Sequence, residues 1–174
     1  MSVGNEGNGD LPPGTGLLSF GDVTSQAGID LLSAIRDGRV PHPPITGVLD
    51  FRFTVIEPGR VVLMGYPARR FYNPIGTVHG GWISTLLDSC MGCAVHTTLK
   101  AGEAYTSLEI KVNFVKAVTD LTGPVRGVGR LTSRGRRVGT AEGQLLDAND
   151  TVLALGTTTC LIFPASEAGS RASR

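Results

Sequence analysis

The segment "NPIGTVHGGWISTLLDS", Asn73 to Ser89, holds residue types whose spacing could act on a carbonyl group. Gly80 and Gly81 stand where an apolar, helix-like run begins. The first turn of a helix has backbone N–H groups without partners and carries the positive end of the dipole. Glycines there let another group come close to the backbone. His79-Gly80-Gly81 can therefore present bare amides to an oxygen that carries, or develops, negative charge. The same glycines could instead let the helix sit tightly on a sheet. Asp88 falls inside the run, on one face with Gly81, Ser84, Thr85 and Gly92 by three- and four-residue spacing. An exposed face usually carries Lys, Glu or Arg, and none occurs from His79 to Leu99. Asp88 could be a surface aspartate on the exposed side of an amphipathic helix, a reading that its Gly, Ser and Thr neighbours weaken.

Asp88 is eight residues past Gly80, about 12 Å along a helix axis. The two cannot easily act on one carbonyl within one chain. Two antiparallel copies of the helix across a two-fold would bring one chain's Asp88 near the other's Gly80, so the spacing points to an active dimer. Asn73 sits six residues before His79, ahead of Pro74, which favours an extended Asn73. Its amide could donate to a carbonyl or orient a water, or simply shape a turn. A helix N-terminus disfavours an imidazolium, so His79 reads as a neutral hydrogen-bonding or capping residue.

The elements that must position these residues follow from periodicity. "GIDLLSAIRDG" is a short helix, with apolar Ile29, Leu31, Leu32 and Ile35 and a following Gly38. "GVLDFRFTVIEPGRVVLMGYPA" reads as a hairpin turning at Pro58-Gly59, with Leu49, Phe51, Phe53 and Val55 on its apolar face. Val48, Asp50, Arg52, Thr54 and Ile56 fall on the other face. A helix from about His79 to Leu99 comes next. "AYTSLEIKVNFVKAV" alternates, Leu108, Ile110, Val112 and Phe114 against Ser107, Glu109, Lys111 and Asn113. Three more strands follow, and short turns suggest that all four form an antiparallel meander. The expectation is an α+β domain: an antiparallel sheet of five to six strands covered by one long helix. Residues 1–24, rich in Gly and Pro, are expected to be flexible, residues 25–163 to form a single domain with an N-terminal helix, and residues 164–174 to be a disordered tail.

Bulk composition excludes several classes. The chain has 174 residues, 41% hydrophobic and 18% charged, with net charge +1. That suits one globular domain and gives no reason to expect a nucleic-acid surface. No apolar run is long enough for a membrane span, and the first residues lack the apolar core of a signal peptide. Cys90 and Cys93 form a C-x-x-C without a second ligand pair, so no metal is expected. Three cysteines cannot all pair, and reduced thiols in the cytoplasm are the simplest reading.

The pattern "NPIGTVHGGWISTLLDS" followed by "YTSLEIKVNFVKAV" resembles the hotdog-fold acyl-CoA thioesterases, in the group of the phenylacetate-pathway and 4-hydroxybenzoyl-CoA enzymes. The likeness covers roughly residues 45–163. It implies a hotdog fold, a long central helix wrapped by a curved antiparallel sheet, with protomers paired into a continuous sheet and dimers often paired into tetramers. It implies hydrolysis of an acyl-CoA thioester without a metal or cofactor. Asp88 would be general base or nucleophile, the Gly80 amide would polarise the carbonyl, and Asn73 and His79 would match the motif's assisting residues. Gly81 would belong to the same substrate-binding turn. Ser107 would hold the water, although Thr106 is adjacent and a one-residue slip would exchange them. Members with Glu as the acid tend to carry Thr one turn later; Gly92 stands there in this chain, which places it with the Asp-type group. CoA phosphates need cations, and Arg134, Arg136 and Arg137 in "TSRGRRVG" are the candidates, with Lys116 at the end of an earlier strand.

Two other readings compete with an acyl-CoA thioesterase. One is a non-catalytic acyl-CoA-binding hotdog module. The other is an acyl-thioester hydratase or dehydratase, whose usual acid-His pairing would need a His where Cys93 stands.

Overall fold

The structure, a computed structural model, describes residues 11–168. Three short helices come first: α1 (Phe20–Thr24), α2 (Gly28–Arg36) and α3 (Pro44–Leu49). The hairpin β1 (Phe51–Glu57) and β2 (Arg60–Gly65) follows, then the long helix α4 (Gly80–His96). The strands β3 (Glu103–Phe114), β4 (Val125–Arg134), β5 (Val138–Leu146) and β6 (Val152–Pro164) complete the chain. All six strands form one antiparallel sheet in the order β1-β2-β4-β5-β6-β3.

Helix α4 lies against the sheet and touches every strand from β2 to β6. Leu86, Leu87, Cys90, Met91 and Val95 are fully buried among Leu63, Val125, Leu145, Ala154 and Ile162. Glycines on the facing strands let the helix sit this deep. A methyl group on Gly129 would overlap the Cys90 carbonyl, and one on Gly143 would lie 2.8 Å from Met91 Cγ. The β1–β2 turn is tied to the helix end, where the Gly59 amide donates to Thr97 Oγ1 at 2.8 Å.

The structure changes several details of the sequence reading. Val48 and Leu49 end helix α3 rather than begin a strand, and Asp50 caps that helix with left-handed backbone, φ 59°. A bulge between Phe53 and Val55 shifts the alternation, so Ile56 turns inward with Phe51 and Phe53. Strand β3 does not join the meander. Residues 115–124 carry the chain across, and β3 pairs with β6 at the far edge. Helix α4 stops at His96, short of Leu99. Of the segments expected to be flexible, residues 1–10 and 169–174 lie outside the described residues, while residues 11–24 carry α1 and a bridge from Thr15 to His42.

Candidate functional site

His79 is the N-cap of α4, in extended backbone, and its Nδ1 accepts from the Gly81 amide at 2.8 Å. One of the orphan amides of the first turn is thereby taken. The Gly80 amide, ahead of it, makes no hydrogen bond among the described residues. Two strap hydrogen bonds hold this helix start. The His79 amide donates to the Phe71 carbonyl at 2.7 Å, and the Val78 amide to the Val118 carbonyl at 2.8 Å. Tyr72 adds a third anchor by donating its hydroxyl to Asp120 at 2.6 Å.

Asn73 organises the loop before the helix. Its Oδ1 accepts from the amides of Ile75 and Thr77, and its Nδ2 donates to Thr77 Oγ1 at 2.9 Å. The turn role is therefore occupied, with one Nδ2 hydrogen left over. Asn73, Gly80, Ile83, Phe114 and Val118 line one cleft of about 350 Å³.

Asp88 lies in a second cleft, of about 360 Å³, with Ser84, Thr85, Ser107, Leu108 and Ile110. Ser107 Oγ donates to Asp88 Oδ1 at 3.2 Å. No lysine or arginine pairs with this carboxylate among the described residues. The two clefts share no lining residue, in keeping with the separation given by the helix rise. A second bulge, between Ser107 and Glu109, explains how Ser107 reaches the helix. It puts Ser107, opposite buried Cys160, on the same face as Ile110, opposite buried Thr158. The plain alternation had set those two residues on opposite faces. Thr106 points the other way and shares a groove with Arg137, Leu161 and Phe163.

Behind Asp88 the surroundings are closed. Gly92 faces the Tyr105 hydroxyl, 3.1 Å from where a side chain would begin. Burial, with the Asp88 and Cys160 charges behind it, pushes the Cys93 thiol up to about 12. Burial also raises Cys90. These thiols remain protonated and unreactive at neutral pH.

The three arginines separate by environment. Arg134 donates through Nη2 to both carboxylate oxygens of Glu103, at 2.9 and 3.1 Å, and also bonds the Gly135 carbonyl. Burial works to raise the Glu103 carboxyl, but the Lys100 amide and the Arg134 guanidinium together hold it below its usual range. Arg136 and Arg137 instead line a cleft of about 310 Å³ with Lys100. Arg137 has Glu167 at 3.8 Å, and Arg136 has no ion pair among the described residues.

Sequence reasoning did not find Phe114 against Gly80, Thr77 beneath Asn73, or Lys100 beside the arginines. Only the first had a usable signal: a helix and the strand after it, packed antiparallel, bring the start of one to the end of the other.

Residues 75–154 match the description of the Thioesterase superfamily. The chain has the hotdog fold and resembles its thioesterase group. The phenylacetic acid degradation-related protein of Ralstonia eutropha JMP134 is 28% identical, with TM-score 0.68 over 74% of this chain and 97% of that one. A thioesterase from Haemophilus influenzae is 14% identical, with TM-score 0.66 over 87% of this chain and 94% of that one. The PaaI protein of the E. coli phenylacetic acid degradation operon is likewise 14% identical, with TM-score 0.67 over 80% and 96%. At such identities the last two speak for the hotdog fold alone. No curated protein matches the sequence. Among the described residues no helix is long and apolar enough to cross a membrane, and no three metal-ligating side chains cluster.

Proposed function

We propose that this hotdog chain is an acyl-CoA thioesterase whose active unit is a homodimer. The observation that carries the reading is Asp88: a carboxylate in an open cleft, held by a serine hydroxyl and without a cationic partner among the described residues. Asp88 takes a proton from water, or attacks the carbonyl itself; Ser107 places the water. As the carbonyl oxygen becomes negative, the unpaired Gly80 amide stabilises it, aided by Asn73. With water attacking, the C–S bond breaks, the CoA thiolate takes up the proton held by Asp88, and the free acid leaves. With Asp88 attacking, C–S cleavage leaves an Asp88–acyl anhydride, which water hydrolyses to the free acid while its proton goes to the thiolate. His79 fixes the helix start, and Gly81 serves the cap rather than the substrate.

The outer edge of β3 supports the dimer. Antiparallel pairing of this strand with its copy about a two-fold brings the Ser107 end of one strand toward the Phe114 end of the other. One chain's Asp88 thereby meets the other's Gly80 cleft. The exposed apolar side chains of Leu108, Ile110 and Phe114 support this pairing. A further pairing into a homotetramer belongs to the same reading. Arg136 and Arg137, with Lys100, suit the CoA phosphates, and Thr106 lies in the adjoining groove that Arg137 also lines. Arg134 is committed to Glu103. Three unpaired thiols suit a reducing, cytoplasmic location.

The test is thiol release from a panel of acyl-CoA thioesters. Asp88→Asn is expected to lower turnover by roughly 10²–10⁴ while CoA thioesters still bind, because only the chemical role is deleted. Hydrolysis at the wild-type rate by Asp88→Asn would remove the mechanism. Binding without turnover on the whole panel would favour a binding module.

A further inference from the structure

Phe114 is an aromatic side chain left 56% exposed at the last position of β3. Its ring does not lie free. A side chain begun at Gly80 would sit 2.9 Å from Phe114 Cζ and within 3.4 Å of two more ring atoms. The missing side chain at Gly80 is therefore filled by the tip of this ring. The ladder with β6 ends at Phe114, opposite Ala154, and the next two amides, of Val115 and Lys116, both donate to the Leu153 carbonyl. The strand thus turns away immediately after Phe114, and its backbone is fixed on both sides of the ring.

The cleft that Phe114 walls has buried Val78, Ile83 and Val118 on its other sides. Gly80, whose amide makes no hydrogen bond among the described residues, lines it along with Asn73. A carbonyl held by that amide has to send its attached group along these apolar walls, and Phe114 is the largest side chain among them. We propose that Phe114 sets the size of the acyl group, admitting compact apolar acyl chains and excluding extended ones. This rests on the thioesterase reading for the carbonyl's position and adds the determinant of chain length. The ligand class follows from the lining: an uncharged, hydrocarbon acyl group, because among the described residues of one chain Lys116, at the rim, is the cleft's sole charged residue.

The test compares wild type, Phe114→Leu and Phe114→Ala on straight-chain acyl-CoA thioesters of increasing length. One added methylene in an apolar pocket alters discrimination by roughly 10–200-fold. Phe114→Ala is expected to raise the ratio of kcat/KM for long over short chains by about tenfold or more, with Phe114→Leu between. An unchanged ratio in both variants overturns the proposal even where wild type hydrolyses the panel well. Binding of the same series to the Asp88→Asn chain, alone and combined with Phe114→Ala, gives a readout independent of turnover. A shift of preferred length there supports the acyl wall even if no thioester is hydrolysed and the thioesterase reading fails. The same preferred length in both chains overturns it. Sedimentation of each variant separates these outcomes from a change of assembly, which the apolar Phe114→Leu is expected to leave unaltered.

Discussion

The two edges of the sheet differ in how they meet the solvent. Strand β1 at one edge alternates buried and exposed residues and is covered by α2 and α3. Strand β3 at the other edge is exposed from Thr106 to Lys111 on both faces, with apolar Leu108 and Ile110 among them. An edge presents unpaired backbone groups, which proteins ordinarily protect with charges or cover with other elements. The β1 edge is protected from within the chain. The β3 edge, which also carries Ser107 and Phe114, is finished in our proposal by a second copy. Stability should therefore concentrate at one edge and function at the other.

The sharpest way to break this contrast is to charge each edge in turn. Ile110→Lys is expected to yield monomers in sedimentation and to lower thioester turnover by about 10²-fold or more, since each site would lose half its groups. Arg52→Glu, on the exposed face of β1, should leave assembly and turnover nearly as they were. Dimers and activity surviving in Ile110→Lys would put the interface elsewhere.

A smaller effect probes the covered edge. Helix α2 begins at Gly28, whose amide donates to the Leu99 carbonyl at 3.0 Å, and a methyl group there would overlap the His96 carbonyl. Gly28→Ala should destabilise the chain by about 3 kcal/mol through forced backbone displacement, read from urea melts. The short-chain turnover of the surviving folded protein should change little.

The smallest effect concerns pH. Burial lowers the His96 pKa from 6.5 to about 4. The unfolded chain then binds a proton that the folded chain refuses. The stability contributed by neutral His96 is complete above pH 6.5 and is lost as pH falls toward 4. From pH 7 to 5 the loss is about 2 kcal/mol. Comparing urea midpoints of wild type and His96→Phe at the two pH values isolates this contribution from that of the carboxylates. An equal slope in both proteins would assign the pH dependence to other groups.

How much of this was legible in the sequence depended on whether the governing physics was local. The long helix could be read from its apolar run and the strands from their alternation, because side-chain period follows backbone geometry. The start of β1 was misread because "GVLD" alternates like a strand while Pro44 opens a helix and Asp50 closes it in left-handed backbone. The position of β3 was missed because strand order is decided by the packing of a whole sheet. The bulge beside Ser107 left no mark, since any residue can be the extra one. Within the site, the cap by His79 was readable from its place before two glycines. The fate of the arginines was not: only the fold brings Glu103 to Arg134.

The bulge at Leu108 has a further consequence. A long, flat, apolar edge invites open-ended strand addition and hence fibres. The spare residue twists β3 and interrupts its regular edge, leaving Glu109–Phe114 as the straight stretch. That is about the length of an average strand, enough for one two-fold partner. In the proposed pairing the open β3 edges of both chains are consumed at once, so strand addition would close on itself.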